Sequence, residues 1–475
     1  MLNANQNFRS IVLTGENQEE LRCSAIFRRD KGFLSYNRIT LIGDRMRGID
    51  LLRLSGGRVR FNLVEPKGEV GRGHTLKGEG FLTESGVSRS GPGLDDQSIY
   101  DVGELSIHEY LEEDELNGDD PIMPHATFVF FQRPPGWPTP LLVNYWNGNI
   151  RRYGTHADRW SKPRGFEIRF RLATSYRHRE TDELKFGVKR FWLPAVEVEP
   201  APKSTLSTEK FHEQSEQLWF LLKILIAFYF KQQAQLIERS ELWPGRIVRR
   251  YWPERLSQIS RDRRDDPPFW GLSEATFFSN AIAAITKRSL SVELLHGAIY
   301  SYTSALAQNS LEGSITSYVE GIERLLEIFE RHEDLTRQVL TDSDEIKAYR
   351  KATKGTVGGL SFLEGSQSDI KRKRGAIRRY LRGVPALTLQ DRIQRMGEHF
   401  SKNFAPHEAR LFNGIDNLTK TRNQIVHGKV VTDINLLHAE SVRGQALFEK
   451  LFLCLVGCPK LEISKSAAIL LDSHP

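Results

Sequence analysis

The sequence predicts a multidomain α+β protein, in which an N-terminal β-rich module precedes an all-α region that ends in a helical bundle. The chain has 475 residues, more than one hydrophobic core usually serves, so two or three domains are expected. Up to about Pro202 apolar and polar residues alternate, and beyond it apolar residues recur every three or four positions. We therefore expect a β-rich sensor or regulatory domain over 1–203, a helical connecting region over 204–300 and a bundle domain over 301–475.

The strands of the first module are predicted by short alternating runs between clusters of Gly, Pro and Asp. Clear examples are Arg58–Leu63, Thr127–Phe131 and Phe166–Leu172. The acidic run Glu112–Pro121 is expected to be a solvated loop, and the proline-containing segment Pro194–Lys203 is expected to be a linker.

The helices of the second part are predicted by longer stretches with helical spacing. They cover Phe211–Ala234, Leu290–Gln308, Gly313–Glu330, the segment around Leu411–Val426 and Asn435–Gly457. The residues Thr388–Asp391 have the capping pattern of another helix start. Together these stretches indicate a four- to five-helix up-and-down bundle, interrupted by one long insertion that contains a basic run.

Composition limits the classes of protein that need to be considered. An excess of 67 Lys and Arg over 60 Asp and Glu gives a net charge of +7, which suits a polyanionic partner such as nucleic acid. Three cysteines cannot form a disulfide framework, and Cys454 and Cys458 are expected to be core thiols. The N-terminus has no apolar signal core, and the longest apolar run, Leu218–Phe230, is too short to cross a bilayer. We therefore expect a cytoplasmic protein with no membrane association.

The segment Thr421–Gly428 carries the chemistry that is easiest to interpret. An apolar stripe at three- and four-residue intervals precedes it and predicts a helix; its members are Leu411, Ile415, Leu418, Ile425 and Val426. Gly428 is expected to occupy the C′ position that ends this helix. The pattern therefore places Arg422 one turn and a half before His427, with His427 in the final turn.

A second Arg-x-x-x-x-His match shows that the spacing alone is not specific. Arg151 and His156 have the same separation, but their segment has no helical period. Only the match at Arg422 has Asn directly after the arginine, a predicted helix before it and a glycine after it. Context therefore favours the second match as a functional motif.

The motif resembles a known family. Arg422, Asn423 and His427, in the order Arg-Asn-x-x-x-His before a further amphipathic helix, resemble the nuclease motif of the HEPN superfamily (higher eukaryotes and prokaryotes nucleotide-binding). The segment Ser317–Leu326 is similar to the acidic first helix of the ApeA-like HEPN proteins of anti-phage defence, and Glu323 falls on the glutamate of that helix. The resemblance covers about the last third of the chain and implies a HEPN-like nuclease domain that acts as a dimer.

Metal-free RNA cleavage needs a proton acceptor for the 2′-hydroxyl, a proton donor for the leaving 5′-oxygen and a fixed cation for the phosphorane. His427 suits the proton transfers, Arg422 suits the cation, and Asn423 is placed to orient the imidazole or a phosphate oxygen. Glu323 is interpreted either as an ion-pair partner of Arg422 or as a surface residue. Arg422 and His427 lie about 140° apart around an ideal helix, so a homodimer with paired motif helices is expected.

The basic run of the insertion is a candidate RNA-binding surface. Its residues are Lys371, Arg372, Lys373, Arg374 and Arg378. Phosphate contacts from such residues supply affinity without sequence choice, although a solvated insertion explains the run equally well. No clustered set of Asp, Glu, His or Cys surrounds the motif, so neither a metal nor another cofactor is expected.

These observations predict a metal-independent endoribonuclease of anti-phage, abortive-infection type defence. The N-terminal module is then expected to restrain or trigger the nuclease, through a phage-derived or nucleotide signal, because uncontrolled RNA cleavage would kill the host. The alternative is a non-catalytic HEPN-type protein that binds nucleotide or RNA or serves as a scaffold, in which Arg422 and His427 hold a ligand or a partner.

Overall fold

The structure is a computed structural model, and it describes the following residues. They are 9–14, 20–28, 38–44, 58–65, 74–89, 99–115, 123–131, 140–146, 149–154, 160–178, 190–252, 274–339, 343–360, 363, 366–381 and 386–463. The chain divides into two compact units. The first comprises Met1–Ile226, Gln233–Asp266 and Glu274–Ser279, and the second comprises Ala227–Gln232, Pro267–Ser273 and Asn280–Pro475.

The first unit is built on antiparallel strands. In chain order they are β1 Arg9–Thr14, β2 Glu20–Arg28, β3 Arg38–Asp44, β4 Arg58–Glu65, β5 His74–Arg89, β6 Ile99–Glu115, β7 His125–Phe131, β8 Pro140–Trp146, β9 Asn149–Gly154, β10 Ile168–His178, β11 Arg190–Pro200, β12 Gln235–Trp243 and β13 Arg246–Tyr251. Strands β8 and β9 form a separate hairpin, and the others join one sheet in the order β10-β11-β7-β12-β13-β6-β3-β2-β1-β4-β5. The expected β-rich character of this part is confirmed.

Strand β6 gives this sheet its form, because it pairs with three neighbours. Its first half pairs with β3, its last six residues pair with β13, and β5 follows it along most of its other edge. The strands β6, β3, β2, β1, β4 and β5 therefore close into a ring, in which each strand has a neighbour on both sides. The strands β13, β12, β7, β11 and β10 extend from β6 as an open sheet.

Two local expectations for the first unit are wrong. The segment expected to be a linker lies mostly in β11, which pairs with β10 and β7. Only Ala195–Val198 pair on both sides, so the prolines at 194 and 200 fall where a missing N–H leaves the second neighbour unaffected. The acidic segment begins inside β6, next to the arginine-rich β13, and Glu113 and Glu109 form ion pairs with Arg246 at 3.5 Å and Arg250 at 3.3 Å.

The expectation that 204–300 is helical throughout is also wrong. Strands β12 and β13 form a hairpin there, and β12 pairs with β7 in the sheet of the first unit. The residues Pro244 and Gly245 make the turn, and Ile247 and Val248 favour a strand over a helix. This Pro-Gly pair is the sequence signal that would have predicted the hairpin.

The helices are as follows. They are α1 Thr208–Tyr229, α2 Glu274–Lys287, α3 Val292–Ala307, α4 Leu311–His332, α5 Ser343–Gly358, α6 Gln367–Leu381, α7 Leu389–Phe400, α8 Pro406–Ala409, α9 Ile415–Val426 and α10 Ile434–Leu455. Single 3-10 turns occupy Ser401–Asn403 and Arg410–Phe412. The predicted mixed α+β class is confirmed. None of the helices in the described part of the chain is both long and apolar enough to span a bilayer.

Helix α4 is central to the second unit. It contacts α3, α7, α9 and α10, and α9 contacts both α7 and α10. The residues Ile315, Ile322 and Leu325 of α4 are fully buried at seven- and three-residue spacing, which places them on one face of a core-facing helix. The expected helical part of the chain is thus a set of packed helices around α4, while its assignment as a HEPN bundle stays a prediction.

The insertion between α4 and α7 begins and ends at segments that are hydrogen-bonded to each other, residues 337–338 and 386–387. We call these paired segments its root. The backbone N–H of Leu387 donates to the carbonyl of Arg337 at 2.7 Å, and Gln338 and Ala386 form an isolated β-bridge. Helix α7 begins directly after this root with the predicted capping box, in which Thr388 and Asp391 exchange hydrogen bonds. The helices α5 and α6, which contact each other, therefore form a hairpin-like insertion between α4 and α7.

A buried carboxylate of α4 holds this root. Glu330 accepts from Arg392 of α7 at 2.5 and 2.9 Å, and it accepts from Nε of Arg337 at 2.7 Å. Burial acts to raise the pKa of Glu330, but the hydrogen bonds from Arg392 and Arg337 outweigh it and hold this pKa below its ordinary value. Two guanidinium groups thus compensate a charge that would otherwise be unfavourable in the core.

A second buried ion pair fixes the end of α10. The side chains of Lys450 and Glu408 are both fully buried, and Nζ of Lys450 lies 2.5 Å from Oε2 of Glu408. Lys450 also donates to the carbonyls of Pro459 and Leu461, while Glu408 accepts from the backbone N–H of Ile463 at 3.1 Å. Each charge therefore has its hydrogen-bond partners, which is the condition under which a buried pair is tolerated.

We call Glu330 with its two donors, Arg337 and Arg392, the Glu330 clamp. This clamp predicts how the free energy of unfolding changes at low pH. The folded-state pKa of Glu330 is depressed, so its contribution is fully present above the ordinary carboxyl pKa and is lost as pH falls through the lower folded value. Glu330→Gln should destabilise the second unit by about 2 to 3 kcal/mol at pH 7, because hydrogen bonds to charged groups are worth about that much. The measurement is urea unfolding of parent and variant from pH 7 to pH 3, followed by far-UV circular dichroism.

The matched control for this prediction is Glu327→Gln, one turn earlier on the same helix. Glu327 forms ion pairs with Arg331 and Arg337 in a more exposed position, so its loss should cost at most about 1 kcal/mol. Equal losses in both variants, or a Glu330→Gln protein as acid-sensitive as the parent, would contradict the clamp.

Candidate functional site

The candidate site is built around α9, whose position is set by its buried face. Ile415, Leu418 and Thr421 are buried at three-residue spacing, and the helix contacts α4, α7 and α10. Ile425 is half-buried and Val426 is 51% exposed, so the expected apolar stripe ends near Ile425. The last turn of α9 consequently projects from the packed helices and carries its polar side chains with it.

The start of α9 is held from α10. Gly414 is the N-cap of the helix, its φ of +79° is in the left-handed region, and a Cβ at this position would lie 3.1 Å from the guanidinium of Arg443. Arg443 is buried, donates to the carbonyl of Asn413 and pairs with Glu440 at 3.2 Å. Burial raises the pKa of Glu440, and the charge of Arg443 opposes that rise.

Arg443 and Glu440 were not among the predicted site residues. Their signal in the sequence is a charged pair three positions apart within an apolar helix, a spacing that brings the two side chains together. Their role in the structure is positional, because they fix the turn from which the motif helix departs.

The end of α9 is a Schellman motif. The N–H of Gly428 donates to the carbonyl of Ile425, and the N–H of Lys429 donates to the carbonyl of Gln424, both at 2.9 Å. Gly428 has a φ of +71°, as its predicted C′ position requires, and His427 is the C-cap residue. The expected helix stop is confirmed, and it determines the direction in which the backbone of His427 leaves the helix.

Arg422, Asn423 and Glu323 come together at the contact between α9 and α4. Nη1 of Arg422 donates to Oδ1 of Asn423 at 3.2 Å, and Nη2 of Arg422 lies 3.7 Å from Oε1 of Glu323. The Arg422 side chain is 29% exposed, and its guanidinium forms one hydrogen bond with Asn423 and one ion pair with Glu323. Nε of Arg422 is buried without a hydrogen-bond partner among the described residues. This geometry favours the ion-pair interpretation of Glu323.

His427 is in the same helical turn but is not joined to this group. Its backbone N–H donates to the carbonyl of Asn423 at 3.1 Å, while its imidazole is exposed and forms no hydrogen bond or ion pair with any described residue. One chain therefore presents an oriented guanidinium and a solvent-facing imidazole. A bound RNA or a second chain could use both groups.

The residues of the predicted RNA-binding run do not all play the same part. Lys371, Arg372 and Lys373 are exposed on α6, and Arg372 lies 3.4 Å from Asp369. Arg374 is half-buried and donates to the carbonyl of Leu360 at 3.0 Å, so it ties α6 to the segment after α5. The side chain of Arg378 lies outside the described residues.

Other candidates for chemistry receive no support. Arg151 of the second Arg-x-x-x-x-His match lies in strand β9, and His156 lies outside the described residues. No group of three or more potential metal ligands occurs among the residues that the structure describes. Cys454 and Cys458 are buried as expected, and burial raises the pKa of these thiols to about 12 and about 11. Neither thiol is therefore a nucleophile near neutral pH.

The chain was also compared with known proteins. No family model, no curated protein and no solved structure matches it.

The Schellman motif makes a prediction about Gly428. Alanine at this position would have to adopt a left-handed φ, at a cost of about 1 kcal/mol, although no atom within 4 Å would clash with its Cβ. Gly428→Ala should therefore lower stability by about that amount and fray the turn that carries His427. Gly428→Asn is the matched control, because asparagine tolerates this backbone conformation better. Hydrogen exchange of the α9 amides should separate the two variants, and equal protection in both would contradict the motif's role.

Proposed function

We propose that this chain is a metal-independent endoribonuclease of the HEPN type. The observation that carries the proposal is the group at the end of α9, where Arg422 is held by Asn423 and Glu323 in the same turn as the exposed His427. The resemblance of the Arg-Asn-x-x-x-His motif to HEPN nucleases supports the same function.

The reaction follows from the chemistry of these groups. A neutral imidazole of His427 takes the proton of the RNA 2′-hydroxyl, and the 2′-oxygen attacks the neighbouring phosphorus. The guanidinium of Arg422 stabilises the charge that develops on the phosphorane oxygens. The bond from phosphorus to the 5′-oxygen breaks, and an imidazolium protonates that oxygen. The products are a 2′,3′-cyclic phosphate and a free 5′-hydroxyl, and DNA is not cleaved because it lacks the nucleophile.

The proposal includes a homodimer. Arg422 and His427 point about 140° apart around their helix, so paired motif helices would supply both groups to one cleft more directly. Exposed apolar side chains beside the motif support such pairing: Val426, Val430 and Ile434 are 51%, 87% and 68% exposed. Apolar side chains grouped at one end of a helix pair are typical of a surface that becomes covered.

A second candidate function has an observation in its favour. His427 occupies an ordinary C-cap position and its imidazole has no polar partner among the described residues, as expected for a helix ending without catalytic duty. In that case the protein is a non-catalytic HEPN-type protein that binds nucleotide or RNA, or a scaffold.

The cellular role is proposed from the resemblance to ApeA-like proteins. We assign the nuclease to anti-phage defence of the abortive-infection type, in which cleavage of RNA stops the infected cell. The β-rich first unit then restrains the nuclease or senses the trigger, which is a phage-derived component or a nucleotide.

The assay that decides between the two functions uses labelled RNA and purified protein with EDTA. The parent should cleave RNA under these conditions and leave 2′,3′-cyclic phosphate ends. His427→Ala and Arg422→Lys should each lower the rate at least about 100-fold, the usual contribution of a general acid or base, with little change in melting temperature. Lysine keeps the charge of Arg422 but loses its bidentate fork.

Matched controls come from exposed residues of the same type. His438→Ala on α10 and Arg331→Lys on α4 should retain activity within about threefold, because surface substitutions away from a site have small effects. Activity that disappears with EDTA and returns with Mg²⁺ would reject the metal-independent mechanism. A His427→Ala protein that melts normally and still cleaves RNA would establish the non-catalytic interpretation of the motif.

The dimer is tested at Val430. Val430→Asp places a charge in the exposed apolar group, so sedimentation should show a shift from dimer to monomer together with a loss of RNA cleavage. Val339→Asp, at an apolar residue between α4 and α5 that is also more than half exposed, should leave both unchanged. Mixing Arg422→Ala and His427→Ala chains should restore activity if one cleft uses Arg422 of one chain and His427 of the other. A fully active monomer of the parent would refute the shared site.

A further inference from the structure

Helix α5 carries a basic stripe that lies outside the predicted RNA-binding run. Lys347, Arg350, Lys351 and Lys354 recur at three- and four-residue spacing, which places them on one side of the helix, and all four are exposed. Thr353 and Val357 of the same helix are buried. The acidic residues of α5 are confined to its first turn.

Most of this positive charge is not compensated within the chain. Lys347 forms an ion pair with Asp344 at 2.9 Å. Arg350, Lys351 and Lys354 form no hydrogen bond or ion pair with any residue of the described part of the chain. Three neighbouring cations of one sign repel each other in the free protein, and an anionic partner would relieve that repulsion.

Helix α6 adds to the same charge. The helices α5 and α6 contact each other, and their described side chains include eight Lys or Arg but only three Asp or Glu. Arg374 is half-buried and donates to the carbonyl of Leu360, while Lys371, Arg372 and Lys373 of α6 are exposed. The insertion thus combines two short helices with exposed basic residues, and we call residues 343–381 the basic arm.

Two glycines, one in the last turn of α5 and one in the middle of α6, suggest how a partner approaches. Gly355 follows Lys351 by one turn, Gly375 follows Lys371 by one turn, and a Cβ at either position would meet no atom within 4 Å. Alanine is the more stabilising residue in a helix interior, so packing does not explain these glycines. Without a side chain, the helix backbone beside each lysine is open to close approach by a phosphate group.

We infer that the basic arm is a docking surface for the phosphate backbone of RNA, with α5 contributing as much as α6. This inference rests on the proposed nuclease function and names the surface that holds its substrate. The contacts are ionic and independent of base sequence, because lysine and arginine at these positions face a charge that every nucleotide carries. Binding is therefore general, and the choice of cleavage position is left to the motif at α9.

RNA fits the arm better than an anionic membrane does. A helix that lies on a membrane needs an exposed apolar face as well as basic residues. None of the large apolar side chains described on α5 and α6 is exposed, since Val357 is buried and Ile346, Tyr349, Ile370 and Ile377 are half-buried. The arm also departs from α4 and returns at α7, both of which contact the motif helix α9.

The experiment measures RNA affinity in a His427→Ala background, which keeps the substrate intact. The triple variant Arg350→Gln, Lys351→Gln and Lys354→Gln removes three charges from α5 and keeps good helix formers. The matched control replaces exposed lysines outside the arm, Lys210, Lys287 and Lys402, by Gln, and changes net charge equally. Binding of a labelled 30-nucleotide RNA is followed by fluorescence anisotropy from 50 to 300 mM KCl, where each lost phosphate contact lowers the slope of log Kd against log salt by about 0.7 to 0.9.

The expected result is at least a tenfold rise in Kd at about 100 mM KCl and a slope reduced by about 2 to 3 in the arm variant, with little change in the control. Equal effects in the two variants, or no effect in either, would overturn the inference. Binding of phosphatidylserine vesicles that depends on these three residues, with RNA affinity unchanged, would also overturn it in favour of a membrane surface.

The outcome is separable from that of the nuclease proposal. RNA binding through the arm by a parent protein that does not cleave RNA would reject the nuclease and keep the arm. RNA cleavage by the parent, together with an RNA affinity that the arm variant does not change, would keep the nuclease and reject the arm. As a second measurement, Gly355→Ala with Gly375→Ala should raise the melting temperature and weaken RNA binding at least threefold. A higher melting temperature with unchanged affinity would overturn the close approach of phosphate at these glycines.

Discussion

The buried carboxylate of Glu330 is the constraint on which the second unit depends. Its position in the core is tolerated only because Arg392 and Arg337 both donate to it, and these arginines belong to the two chain segments that flank the insertion. One charge cluster therefore fixes the root of the basic arm and the packing of α7 on α4. The same helix α4 also contacts α3, α9 and α10, so it connects the Glu330 cluster with the motif helix α9.

The candidate site shows how a short helix is held by its two ends. At its start, Arg443 of α10 packs over Gly414 and donates to Asn413, and at its end the Schellman motif at Gly428 terminates it. Between these points Ile415, Leu418 and Thr421 form the buried side of α9. Arg422 and His427 lie outside that side and point in different directions around the helix, and Glu323 of α4 contacts only Arg422 of these two.

The basic arm and the motif helix have complementary physical roles in the proposed nuclease. Ionic contacts with phosphate are long-ranged and tolerant of sequence, so they suit capture of a substrate by exposed side chains. Proton transfer demands placement within hydrogen-bond distance, so it suits the helix that is held at both ends. The insertion can bind substrate without disturbing the motif helix, because its two ends are joined to each other by the hydrogen bond between Leu387 and Arg337.

Local patterns in the sequence determined the α+β class, the capping box at Thr388, the end of α9 at Gly428 and the burial of Cys454 and Cys458. Each of these depends on residues a few positions apart, where backbone geometry and hydrophobic spacing decide the outcome. Only the tertiary structure decided that the strand 235–243 pairs with β7, that the proline segment before 200 is a strand, and that Glu323 reaches Arg422. Those features require pairing or contact between residues far apart in the chain, and no local propensity or periodicity contains that information.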